Sequence, residues 1–289
     1  MAEQVWTSVE RDSVIEGSAG AGQAAQVLLR LQYQQMRHLH LPLPSFADVE
    51  FRCYSQNGED GILLYLFSLL GTSTRRVVEI CAGSGIECNA ANLIVNHGWQ
   101  GLLLDGDPAQ IAAGQRFYAK CSTTRFSLPT LAAAWITAEG VNDVIASRGF
   151  AGEIDLLSLD VDGNDYWIWR AIECVTPRVI VLEFNALFGP EKRLTLPYDP
   201  NFRLDLTDLP YQAGASLPAF VALGREKGYR LVGVQSLGFN AFFVRAGLGE
   251  DLLPERSPAE CFELVERLRG WGPSWVDAMY RNGRTWQEV

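Results

Sequence analysis

Four short runs of this chain are apolar almost without interruption, and each carries an acid at or beside its end: RRVVEI (75–80), WQGLLLD (99–105), IDLLSLD (154–160) and PRVIVLEF (177–184). A strand with one face in water alternates polar and apolar residues, whereas a strand covered on both faces reads as a continuous apolar run. Helix-like stretches separate the four: ECNAANLIVNHG, then GDPAQIAAGQRFYA and ITAEGVNDVIAS (136–147), then DYWIWRAIECV. Buried strands alternating with helices predict a parallel sheet with helices on both faces. In such open sheets ligands bind beyond the carboxyl ends of the strands, where these acids stand.

The flanking regions complete an α/β, Rossmann-like doubly wound architecture. A polar, Gly/Ala-rich start (16–25) leads into QAAQVLLRLQYQQMRHLHL, whose apolar spacing is helical and which PLP ends. A second helix is expected over 59–70, and a weaker strand near 123–126. After a helix at 215–228, YRLVGVQS and FNAFFVRA are separated by only LG, which permits only an antiparallel hairpin. CFELVERLRGW and SWVDAMYRN add one or two helices. The expected organisation is a helical extension (1–53), a ligand-binding catalytic domain (54–248) and a helical tail (249–289).

Composition narrows the function classes. Hydrophobic residues make up 48% of 289 and charged residues 20%, ordinary for a globular protein with a sizeable core. A net charge of −10 without a Lys/Arg stripe argues against nucleic acid as partner. Neither a membrane-length apolar run nor a signal-peptide layout is seen, so a cytoplasmic location is expected. Six scattered cysteines without a CxxC pair read as reduced core thiols. GxSxG is absent, and His38, His40 and His97 read as surface or cap residues.

The segment LSLDVDGNDYW (157–167) concentrates Asp160, Asp162, Asn164 and Asp165. A calcium loop fails, because the positions needing Gly and a bidentate Glu hold Asp165 and Ala171. What remains is a metal or catalytic site at a strand tip, or a polar turn. VIVLEFN adds Glu183 and Asn185 at the neighbouring tip. Asp160, Asp162, Asn164 and Asn185 are therefore the catalytic candidates, with Glu183 beside them facing substrate. Gly83 and Gly85 allow a tight turn and close ligand approach, and Asp105, about 20 residues on, suits two ribose hydroxyls. That spacing also fits NAD, but no third glycine completes the NAD pattern. Asp107 before Pro108 reads as a helix cap.

The order of these elements resembles that of class I S-adenosylmethionine-dependent methyltransferases. VVEICAGSGIE (77–87) resembles their first motif, GLLLDGD the second strand with its acid, and IDLLSLDVDGNDYWIW the corresponding segment of the FkbM-like branch. The resemblance runs from about residue 54 to 245. It implies S-adenosyl-L-methionine as cofactor, with Glu79 beside its methionine part or a bridging water. Gln56 and Glu59 of YSQNGEDGIL, and Asn89, would hold its amino-acid end. It also implies a small-molecule acceptor methylated on oxygen or nitrogen. Catechol-type members pair an Asp with an Asp-Asn at these tips and use Mg²⁺; the ExN found here makes a divalent metal possible but not favoured. Insertions such as 186–214 cover the substrate in that fold, which puts Phe188, Tyr198, Phe202, Tyr211 and Asp199 around the acceptor. Two rivals stay open: another use of the same cofactor, such as cyclisation or cleavage of its amino-acid arm, and a binding module without chemistry.

Overall fold

The computed structural model describes residues 8–204, 214–264 and 285–289, with only the backbone described over 8–21. Its centre is a seven-stranded sheet built from β1 (Arg76–Ile80), β2 (Gln100–Asp105), β3 (Thr130–Ala133), β4 (Gly152–Leu159), β5 (Val175–Glu183), β7 (Tyr229–Val234) and β8 (Asn240–Arg245). The strand order is β3-β2-β1-β4-β5-β8-β7, with five parallel strands closed by an antiparallel pair. This is the expected Rossmann-like sheet with its C-terminal hairpin. Chain order reverses between β1 and β4, so the switch point lies where β1 and β4 carry Glu79 and Asp160. The small strands β6 (Leu194–Thr195) and β9 (Gln287–Glu288) pair separately.

Helices cover both faces: α1 (Ser8–His38), α2 (Phe46–Val49), α3 (Glu59–Leu70), α4 (Ala91–His97), α5 (Pro108–Lys120), α6 (Val141–Ala146), α7 (Asp165–Ala171), α8 (Leu217–Glu226) and α9 (Pro258–Leu264). Because side chains alternate along a strand, the two-fold period sorts the core into two layers. Val77 and Leu103 pack with Ile62, Leu66 and Ile94 from α3 and α4. Val78, Leu102 and Leu157 pack with Trp169 of α7 and Phe220 of α8. None of the described helices is long and apolar enough to cross a membrane.

Several expectations are corrected. α1 runs straight through the Gly/Ala-rich start, since Ala is a strong helix former and isolated Gly costs only about 1 kcal/mol. The third strand lies at 130–133, while 123–126 forms turns; TLAA is short and poor in β-branched residues, so it lacked a strand signature. The 136–147 helix begins only at Val141, after the turn at Gly140. SWVDAMYRN and Tyr211 lie outside the described residues. Among the six free cysteines only Cys88 and Cys261 are buried; Cys53 and Cys81 are exposed, so "core thiols" holds for a minority.

Candidate active site at the strand tips

The β1 tip turns through three left-handed residues, Cys81 (φ 61°), Gly83 (φ 56°) and Gly85 (φ 69°). The two glycines serve different ends. A Cβ on Gly85 would meet Leu103 Cδ1 at 2.6 Å, so that position is fixed by packing. A Cβ on Gly83 would meet nothing within 4 Å, so that position opens onto free space. The Gly83 amide donates to Asp105 Oδ2 at 2.8 Å and the Asp107 amide to Asp105 Oδ1 at 2.8 Å. Each carboxylate oxygen keeps a lone pair for a further donor. Asp107 caps α5 as expected, accepting from Ala109 N at 2.8 Å with Pro108 in the first turn. Trp135, just after β3, lies against Gly106, where a Cβ would stand 3.0 Å from its ring; the Arg203 guanidinium sits 4.5 Å from the ring centroid. Nothing in LAAAWI marked this exposed tryptophan as a site residue.

Behind this turn, buried carboxylates are occupied by the chain itself. Glu79 accepts from Asn89 N (3.0 Å), Ala90 N (2.7 Å) and Ser158 Oγ (3.1 Å), and Asn89 Nδ2 donates to the same Ser158 hydroxyl. Burial pushes the Glu79 carboxyl up, and the amides of the α4 entry pull it back. Its visible task is to anchor that entry. Glu59 is likewise engaged, accepting from Asn57 N (2.9 Å) and Asn240 Nδ2 (2.8 Å). Asp60 gathers the amides of Cys53, Tyr54 and Ser55 on one oxygen, at 2.7, 2.7 and 2.8 Å. This nest shapes YSQNGED and leaves Gln56 exposed above it. Helix α3 starts at Gly58 in a left-handed conformation, with Ser55 Oγ accepting from Asp60 N.

At the neighbouring tips the acids face one another. Leu159 pairs with Leu182, which brings Asp160 and Glu183 side by side. Carboxylate oxygens of Asp160, Asp162 and Glu183 all lie within 4.8 Å of one another. Burial raises Asp160 to about 6, tempered by a hydrogen bond from Glu183; burial and the Asp160 charge push Glu183 well above the carboxylate range. Both carboxyls are thus pushed toward their neutral forms, Glu183 the more strongly, and the pair is placed to share a proton. Asp162 is exposed and left-handed (φ 58°). Asp165 accepts from Val161 N at 2.8 Å and Gly163 N at 3.0 Å, closing the loop beneath the pair; burial raises it to about 8. Three hard oxygen donors could hold a divalent cation, although a shared proton also relieves the Asp160–Glu183 repulsion.

Two candidates are turned elsewhere. Asn164 Nδ2 donates to the Asp199 carbonyl at 2.7 Å, and Asn185 Oδ1 accepts from Leu187 N at 3.0 Å to start a 3-10 turn over Ala186–Phe188. Phe188 is buried against Trp286 with ring centroids 4.7 Å apart, rather than open to a ligand.

No protein-family model matches the chain, and no curated protein sequence matches it significantly. Solved structures similar to it include an S-adenosylmethionine-dependent methyltransferase from Clostridium acetobutylicum, 7% identical, covering 65% of this chain and 91% of its own at a TM-score of 0.42. The O-methyltransferase from Bacillus cereus in complex with SAH is 14% identical, covers 76% and 89%, and scores 0.42. TomG, an O-methyltransferase from Streptomyces achromogenes in complex with SAM, is 14% identical, covers 75% and 89%, and scores 0.40.

The segment after β5 is strapped over the acidic tips. Trp167 Nε1 donates to Leu196 O (2.8 Å), Asn164 Nδ2 to Asp199 O, and Trp135 Nε1 to Pro200 O (2.8 Å). Tyr198 is held to the body, its hydroxyl donating to Glu139 (2.7 Å) and accepting from Ala138 N (2.9 Å). Phe202 rests on Gly163, where a Cβ would lie 2.3 Å from its ring. Of the histidines, His97 ends α4 just before its Gly98 cap, as expected, but its ring is not at the surface. It is partly buried, its Nε2 lies 2.7 Å from Gln26 Oε1, and burial lowers it to about 4, with Arg30 and Arg75 adding to the effect.

Proposed function

We propose that this chain is an S-adenosylmethionine-dependent methyltransferase that acts on an oxygen or nitrogen of a small acceptor, with the LSLDVDGNDYW segment favouring an FkbM-like relationship. One observation carries the reading. A turn that opens at Gly83 beside the Asp105 carboxylate lies near a carboxyl pair, Asp160–Glu183, placed to share a proton. The cofactor fits the first half: the free space beyond Gly83 admits a ligand against the backbone, and Asp105 retains acceptor capacity for the two ribose hydroxyls. Trp135 offers a flat face beside Gly106 for the purine, and exposed Gln56 a polar group for the amino-acid end. Glu79 and Asn89 support this cradle from behind, through the α4 entry, as Glu59 does through Asn57.

When bound, the cofactor supplies an electrophilic methyl on a sulfonium, so the protein needs no nucleophile of its own. Asp160 accepts the proton that a hydroxyl or amine must lose, and Glu183, the more strongly pushed toward its neutral form, keeps Asp160 oriented. Asp162 lies at the mouth, where it attracts a polar or cationic acceptor. Asp165 and Asn164 hold the loop and its cover. Phe202 and the segment around Tyr198 exclude water from this corner, which sharpens alignment. The roles of Phe188 and Asn185 are to shape the start of that cover.

Calorimetry with S-adenosylhomocysteine, followed by product mass spectrometry with S-adenosylmethionine and a panel of phenols, amines and sugars, tests the reading. Cofactor binding with a mass gain of one methyl on an acceptor is expected. Methylthioadenosine without a methylated product would overturn the methyl-transfer assignment, and absence of binding by folded protein would overturn the cofactor.

A further inference from the structure

At the opposite end of the strands, where β1 and β2 begin, α1, α3 and α4 border an open pocket of about 270 Å³, with Arg75 exposed at its rim. Arg30, Arg75, His97, Phe67, Leu93 and Trp99 are among the residues that line it. β1 is five residues long, so this cavity lies roughly 15 Å or more from the Gly83 turn. Its size is just under the ~300–1,000 Å³ usual for ligand pockets, which suits a small occupant.

The two arginines are surplus to what the surrounding structure needs. Cations near helix C-termini commonly serve the last carbonyls, and α3 and α4 both end here. Those carbonyls already have other donors. Arg37 donates to Leu69 O, Arg178 to Leu70 O at 3.0 Å, and Gly71 N to Phe67 O. Gln23 donates to Asn96 O at 2.7 Å, and Trp99 N to Leu93 O at 3.1 Å. Among the described residues, neither the Arg30 nor the Arg75 guanidinium has an ion-pair partner, in a chain with 34 acids against 24 Lys and Arg.

Arg75 is also held in a costly conformation. Its φ of 51° is left-handed for a residue with a side chain. The fully buried Asp155 carboxylate imposes it, gathering the amides of Ser73, Thr74 and Arg75 at 2.5 to 2.8 Å and ion-pairing with Arg178 at 3.1 Å. The floor is apolar and aromatic, with Phe67 and Trp99 packed edge to face at 4.7 Å between centroids. His97 is neutral there, tied to Gln26, with the fields of both guanidinia reaching its ring.

We propose that this cavity is a second ligand site, for a small organic anion whose carboxylate or phosphate sits between Arg30 and Arg75 and whose planar body lies against Phe67, Leu93 and Trp99. Arg serves such a site because its planar fork matches carboxylate and phosphate oxygens. The site is separate from the strand tips and stands whether or not methyl transfer is the reaction there.

Phenyl phosphate, benzoate and inorganic phosphate are the probes, read by calorimetry and by the resonances of the three histidines, with His97 distinguished through the His38→Gln and His40→Gln variants. Saturable binding of phenyl phosphate or benzoate that shifts His97 is expected, and whichever binds tighter tells phosphate from carboxylate. Inorganic phosphate alone should bind at least tenfold more weakly. Arg30→Gln and Arg75→Gln should each weaken binding at least tenfold, Arg30→Lys less so, with unfolding midpoints and S-adenosylhomocysteine affinity retained. Lack of saturable binding of both aromatic probes by the wild type, or binding undiminished in the folded double Gln variant, would overturn the proposal.

Discussion

Carboxylates stand at the tips of β1 and β2 and again at the tips of β4 and β5, yet the two groups are neutralised by opposite means. On the first side the chain's own amides converge on each acid: two on Asp105, two on Glu79, three on one oxygen of Asp60. On the second side Asp160 and Glu183 meet each other, placed to share a proton. An acid that collects backbone amides is held in place by them. An acid that leans on another acid stays close to a change of protonation. The first arrangement builds a rigid cradle and the second a group able to take up a proton.

Substitutions can break this contrast. The largest effect is expected from Asp160→Asn, which keeps shape but removes the proton acceptor: turnover should fall by roughly 10²-fold or more, while S-adenosylhomocysteine affinity changes little. Equal losses in both would mean that the acidic corner is scaffolding. Asp105→Ala should do the reverse, weakening cofactor binding by roughly 1–3 kcal/mol, as calorimetry would register. Below pH 6 the wild-type rate at saturating cofactor should drop about tenfold per unit as Asp160 takes up its proton near its raised value; this limb should vanish in Asp160→Asn. Asp165→Asn retains one acceptor for the loop amides, so a loss of about 1 kcal/mol in urea unfolding and less than a tenfold change in turnover are expected. Dialysis against EDTA should leave activity intact. A loss restored by Mg²⁺ would instead make Asp160, Asp162 and Glu183 metal ligands.

The same contrast explains what the sequence could reveal. The continuous apolar runs in β1, β2, β4 and β5 carry the fold in a local pattern, and the acid beside the end of each run marks the working edge of the sheet. The hairpin was equally legible, because a break of only two residues leaves the chain no other path. Partnership was not legible. Nothing local distinguishes Asp60, which gathers three amides, from Glu183, which faces another acid across two strands; only the Leu159–Leu182 register does that. Tyr198 and Phe188 were expected around the acceptor because insertions at this point cover the substrate in the resembled fold, while their partners Glu139 and Trp286 lie 59 and 98 positions away. Trp135 was missed for the same reason, being defined by Gly106 and Arg203 rather than by its neighbours.

The strap over the acidic tips is gripped in an unusual direction. Trp167, Asn164 and Trp135 belong to the body, and what each of them holds is a main-chain carbonyl, of Leu196, Asp199 and Pro200. Every amino acid carries that carbonyl, so the fastening is blind to the identity of the residues it fastens. Mutations can accumulate at 196, 199 and 200 without undoing these three ties, whereas a single change at Trp167 or Asn164 releases one. On the proposed reading, such a body can be refitted to new acceptors by drift in its cover alone, and libraries aimed at altered selectivity belong in the strap and not in the residues that clasp it.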